Sequence, residues 1–597
     1  MDNSVDNSAD KSVDNIVDNS MDKSVDNLSS LIALDENAWY VALAEHLAEL
    51  YADTSIHQKN KLKQLVITIG QALEAGHTCL FIKQHSLNFK QLQHPAIVDE
   101  LHAKEQPAPL VRAGDYVYFY RQWQQENQLA EQLTRILTPV RPVSVQFDDH
   151  ETANALQRQA IQLAGQHAFS LITGGPGTGK TYTLVKIVSA LQQDQPDLRI
   201  ALAAPTGKAA QRMQSVLDNA FTQLGVSSHH IQTAQTIHRL LGLGTHGKPR
   251  YHAQALLPYD LIVLDEGSML DLALASLLFA AIGTGTRVII LGDADQLAAV
   301  DAGAVLADLQ QTLALQQYQV HLTESKRFDA TQGIGQLASA ILQQNSVQFW
   351  QAFQQSPQQL QHINPQQLSD QQLFDQLWQG FLPYVEELQN LNSQQKYNQA
   401  DIQKLFAAFD RYRILSAMRA GRLGIQRINQ EMTKRLQQRQ GQAQARHASQ
   451  QAWFSGRPIM MNRNDYALQL SNGDIGLCLL DENGKWQVYF PHLTQAIAST
   501  RLPLQDISTA FALTIHKSQG SEFEHVAVVL DAAAKELLSR ELLYTAVTRA
   551  KQNVVLWSDD EVAEQALHNK ALRDTGLGNQ LQKMLEIDKS VHNVTLL

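Results

Sequence analysis

Residues 150 to about 330 predict an α/β fold built on a parallel sheet, and three observations carry that prediction. Short β-branched runs alternate with helical stretches, a glycine-rich turn separates the first run from its helix, and the same rhythm returns after Phe511. The runs are residues 169–173, 199–204, 261–264, 287–291 and 318–322. The chemical motifs lie at or just beyond their carboxyl ends, where open α/β sheets bind ligands.

The chain has 597 residues, 44% hydrophobic and 18% charged. That is enough for several cores, and the composition excludes a fibre or a small disulfide scaffold. Two cysteines, Cys79 and Cys478, cannot form a four-cysteine metal site and give no sign of an oxidising compartment. The most apolar stretch, Leu272 to Ile282, is shorter than the ~20 residues a bilayer requires. With neither a basic leader nor an apolar signal region, a cytoplasmic location away from membranes is the expectation. The net charge of −11 is uneven, because residues 1–28 form seven tetrapeptides of the type VDNS with seven Asp and two Lys. Such a polar repeat is expected to be a disordered tail. A mildly acidic remainder still leaves room for a local basic groove.

The segment 29–138 shows apolar residues at intervals of three and four, as in Trp39 to Leu50, and is expected to be a helical, partner-docking domain. Pro139 to Pro142 suggest a linker into a first α/β domain, 139–330. A second domain would span 331–597. Within it, the Gln-rich residues 345–410 read as an exposed helical insertion. Residues 453–505, with turn signals at Gly473-Asp474 and Asn483-Gly484, read as a small inserted β-barrel.

Gly174, Gly175, Pro176, Gly177, Thr178, Gly179, Lys180 and Thr181 satisfy the phosphate-loop pattern between a strand and a helix. Glycines let backbone N–H groups curl around phosphate oxygens, and the helix N-terminus adds a positive dipole end. Lys180 would reach the β and γ phosphates and Thr181 would ligate Mg2+. Asp265 and Glu266 end an apolar strand, Asp265 suited to the Mg2+ shell and Glu266 to accepting a proton from attacking water. Gln296, ending the next strand, can sense a γ phosphate or orient water. Arg327 and Arg549 are candidate cations for the charge that phosphoryl transfer develops. Pro205, Thr206 and Lys208, Thr236 and His238, and Thr514, His516, Lys517 and Ser518 offer the hydroxyls and single cations that grip successive phosphates of a polynucleotide. His229 and His230 read as loop residues, with no further metal ligands around them.

Taken in order, these motifs resemble superfamily 1 helicases, and most closely the RecD family, alpha chain of exodeoxyribonuclease V. The resemblance covers about residues 150–556 and rests on GGPGTGKT at 174, APTGKAAQRM at 204, TIHRLLG at 236, LGDADQLAAVDAGAVL at 291, GRPIMMNRNDYALQLSNGDIG at 456, TIHKSQGSEF at 514 and LLYTAVTRAK at 542. It implies two RecA-like lobes with ATP and Mg2+ in the cleft, an SH3-like barrel insertion, and single-stranded DNA across the top with 5′ to 3′ movement. By the same resemblance Gln157 would contact adenine and Glu522 would lie near the ribose, beside Gly520. Arg327 and Arg549 would approach from the second lobe. The expected partners are DNA ends, a RecB-like helicase-nuclease and a RecC-like subunit. Gly267 stands where the family often has Ala, and Lys326 where an aromatic is frequent. Two other readings remain: a freestanding RecD-like helicase, and an assembly subunit that binds ATP and DNA without turnover.

Overall fold

A computed structural model of the chain describes residues 38–51, 53–84, 93–143, 153–224, 230–244, 248–325, 327–328, 331–392, 397–440, 452–465 and 467–595. The N-terminal repeat, His229 and Lys326 lie outside the described residues. Among those described, no helix is long and apolar enough to cross a membrane. The chain divides into two compact units, one made of residues up to Ala75 together with Cys79–Arg121, the other of Gly76–Thr78 and everything from Gln122.

The first unit corrects the expectation of a helical domain. Helices Trp39–Leu50 and Ile56–Glu74 are followed by a four-stranded sheet of β1 (Leu80–Phe81), β2 (Ile97–Asp99), β3 (Leu110–Ala113) and β4 (Tyr116–Phe119), in the order β1-β4-β3-β2. Strands of two to four residues are too short to show a periodicity of two. Gly114, at φ +60°, makes the tight β3–β4 turn that only glycine adopts readily. The next helix, Tyr120–Ile136, buries Leu129, Leu133 and Ile136 in a core of the second unit, so the expected boundary at 138 falls after an element already committed there.

The second unit holds two parallel sheets. In the first lobe β5 (Phe169–Gly174), β6 (Ile200–Ala204), β7 (Gln235–Thr236), β8 (Leu261–Leu264), β9 (Arg287–Gly292) and β10 (Gln319–Leu322) are ordered β10-β5-β9-β8-β6-β7, every pair parallel. Successive strand residues feed opposite faces: Leu171, Ile262 and Ile290 enter one core, and Ile172, Val263 and Ile289 the other. Apolar runs covered on both faces are what a parallel sheet requires.

The second lobe opens with β11 (Leu360–Ile363) and β12 (Tyr412–Ser416). The chain then leaves for an antiparallel sheet of β13 (Arg457–Met461), β14 (Ile475–Leu480), β15 (Trp486–Tyr489), β16 (Ile497–Ala498) and β17 (Ile507–Thr509). It returns as β18 (Ala512–Thr514), β19 (Phe523–Val529) and β20 (Ala550–Trp557), giving a parallel order β11-β20-β19-β12-β18. Two expectations change here. The Gln-rich stretch is not wholly an exposed insertion, because β11 forms the sheet edge and Phe349 and Phe353 are buried in the lobe's core. The inserted sheet has its own core around Ile459, Cys478, Val488 and Phe490, and among the described residues its pairing runs from β16 to β17 without a closing pair. Finally, helix Leu577–Thr595 departs from the second lobe, and Leu577 and Leu581 are buried in the core of the first.

Candidate active site

In the first sheet β5, β9 and β8 are neighbours, so their carboxyl ends bring together Gly174–Thr181, Asp293–Gln296 and Asp265-Glu266, segments more than a hundred residues apart in the extreme. A cleft between the lobes is lined by Pro176, Gly177, Gly179, Lys180 and Thr181, by Asp265, Glu266 and Gln296, and by Arg327, Glu522 and Arg549. Eleven residues named from sequence therefore share one cavity. The loop's shape depends on its glycines: Gly177 and Gly179 have φ of +79° and +86°. A Cβ on Gly177 would stand 2.4 Å from the Arg327 Cβ, and one on Gly179 2.3 Å from the Gln157 amide nitrogen. Gly174, Gly175 and Thr178 shape the loop from behind, Thr178 Oγ1 donating to the Gly175 carbonyl at 2.8 Å. Lys180 Nζ donates to the carbonyls of Gly174 (2.5 Å) and Gly175 (3.0 Å).

Asp265 is half-buried beside Glu266, which sits in the left-handed region at φ +53°. Burial pushes the Asp265 carboxyl up, and the Glu266 charge adds to it. Gly267 explains one departure from the family pattern: a Cβ there would meet Ile290 Cγ2 at 2.8 Å and the Leu291 carbonyl at 3.0 Å. Asp293, unremarked in the sequence, is the hub of the next segment. Its Oδ2 accepts from Gln296 Nε2 (2.8 Å) and from the Tyr544 hydroxyl (3.2 Å) of the second lobe, and burial raises its pKa. Gln296 Oε1 is left buried without a hydrogen-bond partner among the described residues, an acceptor on the cleft wall awaiting a donor.

Glu522 closes the cleft from the second lobe. It accepts from Arg327 Nη1 at 2.6 Å and pairs with Arg212, with Lys551 at 3.7 Å. Burial pushes its carboxyl up, but the charges of Arg212 and Arg327 outweigh this and bring it to about 2. A depressed carboxyl stabilises the fold above its unfolded pKa and loses that contribution as pH falls through the folded one. Wild type minus Glu522→Gln stability is thus expected to reach about 3 kcal/mol near neutrality and to fade between pH 4.5 and about 2, as measured by denaturant titration at each pH. A pH-independent difference would rule out the ion-pair origin. Arg549 is buried on the Thr545 and Ser521 carbonyls (3.1 and 3.4 Å), and burial lowers its pKa.

Other expected roles need correction. Gln157 is buried and both ends of its amide are engaged: Oε1 accepts from Asn154 N (3.1 Å) and Nε2 donates to the Thr178 carbonyl (3.1 Å). It caps its helix and braces the phosphate loop, and it is not on the cleft wall, so in this structure it is not presented to a base. Gly520, at φ +72°, packs beneath the cleft, where its carbonyl receives Arg212 Nη1 at 3.5 Å.

The strand-gripping candidates separate by depth. Pro205, Thr206 and Lys208 follow β6; Thr236 ends β7 and exposed His238 follows it, and Thr236 Oγ1 caps the helix by accepting from Arg239 N at 3.2 Å. Thr514 ends β18 and His516 follows it, and Lys517 Nζ donates to Asn472 Oδ1 at 3.4 Å. Ser518, however, is fully buried and donates to the Ile515 carbonyl at 2.7 Å, which removes it from any exposed surface. Lys208 lies 5.8 Å from the Phe523 ring across the lobes, its pKa brought down to about 8 by burial. Arg212, which reading from sequence missed, stands one helical turn beyond Lys208, and that i,i+4 spacing was the available signal.

The AAA domain family matches residues 157–302, and the UvrD-like helicase C-terminal domain family matches 509–557. The RecBCD enzyme subunit RecD of Haemophilus influenzae is 34% identical, over 80% of this chain and 82% of that protein. That of Mycolicibacterium smegmatis is 32% identical, over 91% and 99%. The ATP-dependent RecD2 DNA helicase of Deinococcus radiodurans is 32% identical, over 65% of this chain and 47% of that protein. With a phosphate loop, an acidic pair and cations of both lobes around one cleft, and with relatives aligned across most of its length, the chain belongs to the RecD family and is an ATP-dependent DNA helicase.

Proposed function

We propose that this chain is the 5′ to 3′ motor of a RecBCD-type assembly, in which it works on DNA ends beside a RecB-like helicase-nuclease and a RecC-like subunit. The carrying observation is the sharing of Glu522 by Arg212 and Arg327, which sets both guanidinium groups at the cleft that Lys180 and Thr181 also line. Phosphate oxygens entering this cleft compete with Glu522 for Arg327, so nucleotide binding redistributes contacts between the lobes. Lys180 takes the β and γ phosphates, Glu266 receives the proton of the attacking water, and Gln296 orients that water through its unpartnered oxygen. Arg327 and Arg549 neutralise the charge that develops.

Mg2+ fits the donors present. Thr181 and Asp265 offer hard oxygens, and burial holds the Asp265 carboxyl above its usual range, which a nearby cation would offset. No cluster of three or more His, Cys, Asp or Glu suited to a metal occurs among the described residues. Thr181 and Asp265 would hold the ion, which would offset the negative charge of the phosphates.

Strand contact falls to the segments after β6 and β7 in the first lobe and after β18 in the second. Alternating grips there turn closure into steps. Duplex steps stack at roughly 1.4 kcal/mol, so one ATP per nucleotide suffices. Two duplexes identical except for a 5′ or a 3′ single-stranded tail test the reading, with the purified chain and then with its partners added. Opening of the 5′-tailed duplex alone is expected. Preference for the 3′ tail overturns the polarity, and DNA-stimulated turnover without opening until partners are added identifies a partner-dependent motor.

A further inference from the structure

The stretch that follows Gln296 is held at three successive points. Gln296 lines the nucleotide cleft and donates to Asp293 behind it. One residue later, Leu297 is in the grip of the second lobe: its N–H donates to Thr545 Oγ1 at 2.9 Å, its carbonyl accepts from Gln519 Nε2 at 2.7 Å, and its side chain is buried in that lobe's core. Beyond it the backbone turns back, and three of its carbonyls converge on a single side chain. Arg573 donates to the carbonyls of Ala299 (2.5 Å), Asp301 (2.8 Å) and Gly303 (2.7 Å).

The guanidinium has a fitted seat. Gly76 lies against it at φ +92°, and a Cβ there would stand 2.6 Å from its Cζ, while the Gly76 carbonyl accepts from Gly303 N at 2.9 Å. The segment carrying Arg573 is itself fastened to the first lobe, through Thr575 Oγ1 on Asp308 (2.6 Å) and Gly576 N on buried Glu126 (3.1 Å). The Arg573 charge also reaches His516, whose pKa is lowered by burial first and by Arg573 second, so the same side chain lies near a strand-facing segment.

We propose that Arg573 is a positioning residue for the stimulation of ATP hydrolysis by DNA, holding the 299–303 stretch rigid so that the second lobe's grip on Leu297 is transmitted to Gln296. The inference rests on the helicase reading above. A loop tied at only one end would follow the second lobe as slack; tied at both, it moves Gln296 with that lobe. Three carbonyls in one fork also suit a planar guanidinium better than an ammonium.

The test is steady-state ATP turnover of the full chain, with and without saturating oligothymidylate, together with thermal melting. Arg573→Ala is expected to lower the DNA-stimulated kcat by about tenfold while the KM for ATP and the DNA-free rate stay within about twofold. Arg573→Lys, which keeps the charge without the fork, falls between the two. Thr575→Val loosens the same segment away from Arg573 and is expected to melt earlier yet keep its stimulation. Wild-type stimulation in Arg573→Ala overturns the proposal, and so does an equal loss in Thr575→Val, which would make the segment's docking, not Arg573, the cause. Should Arg573→Ala fail to fold, Arg573→Lys decides alone: a reduced stimulation upholds the proposal and an unchanged one overturns it. A wild-type chain without stimulation would instead overturn the motor reading, and this inference with it.

Discussion

Lys180→Gln is expected to lower ATP turnover roughly 1,000-fold or more, a loss of about 4 kcal/mol of transition-state stabilisation. The folded chain should survive the change, because among the described residues the Lys180 ammonium donates to the carbonyls of Gly174 and Gly175, and an amide N–H can still reach one of them. What disappears is a full positive charge at the mouth of the loop, which Gln cannot supply to phosphate oxygens. Phosphate release measured beside a melting curve separates the two effects. Residual turnover near the wild-type rate in a folded variant would show that the glycine loop is not the phosphate site.

Glu266→Gln is the companion experiment, with an expected fall in kcat of about 100- to 10,000-fold and little change in nucleotide affinity. Its isosteric amide keeps the shape of a residue in the left-handed region at φ +53°, where bulkier changes would add strain. It also removes one charge from beside Asp265, so the Asp265 carboxyl should ionise more readily and nucleotide with Mg2+ should bind at least as well as in wild type. Fluorescent-ADP titration and single-turnover phosphate release distinguish this outcome from a binding defect. A variant that hydrolyses normally would move the general base elsewhere, and a loss of binding would assign Glu266 to the metal.

Which features could be read from sequence follows from how local their causes are. The parallel strands were legible because a strand covered on both faces is apolar throughout, and β5 and β9 are buried along their whole length. The phosphate loop and acidic pair were legible because each is contiguous. The sheet of the first unit was not, since its strands offer at most four residues each. Gln157 was assigned to a base by resemblance, whereas here its amide oxygen accepts from Asn154 and its amide nitrogen donates to the loop carbonyl of Thr178. Ser518 looked like a phosphate contact in a motif rich in hydroxyls, and only its burial reveals that its hydroxyl points inward. Arg573 gave no signal at all, because the carbonyls it holds lie some 270 residues earlier and carry no side-chain identity.

The return of helix Leu577–Thr595 to the first lobe also bears on biosynthesis. Leu577 and Leu581 complete a core whose other members, such as Leu129, Phe169 and Ile262, have left the ribosome hundreds of residues earlier. Domains usually fold in the order they are made. Here the nascent first lobe must wait with an apolar seam uncovered while the whole second lobe is translated, so its maturation is timed by the appearance of residues 577–581 and not by its own sequence.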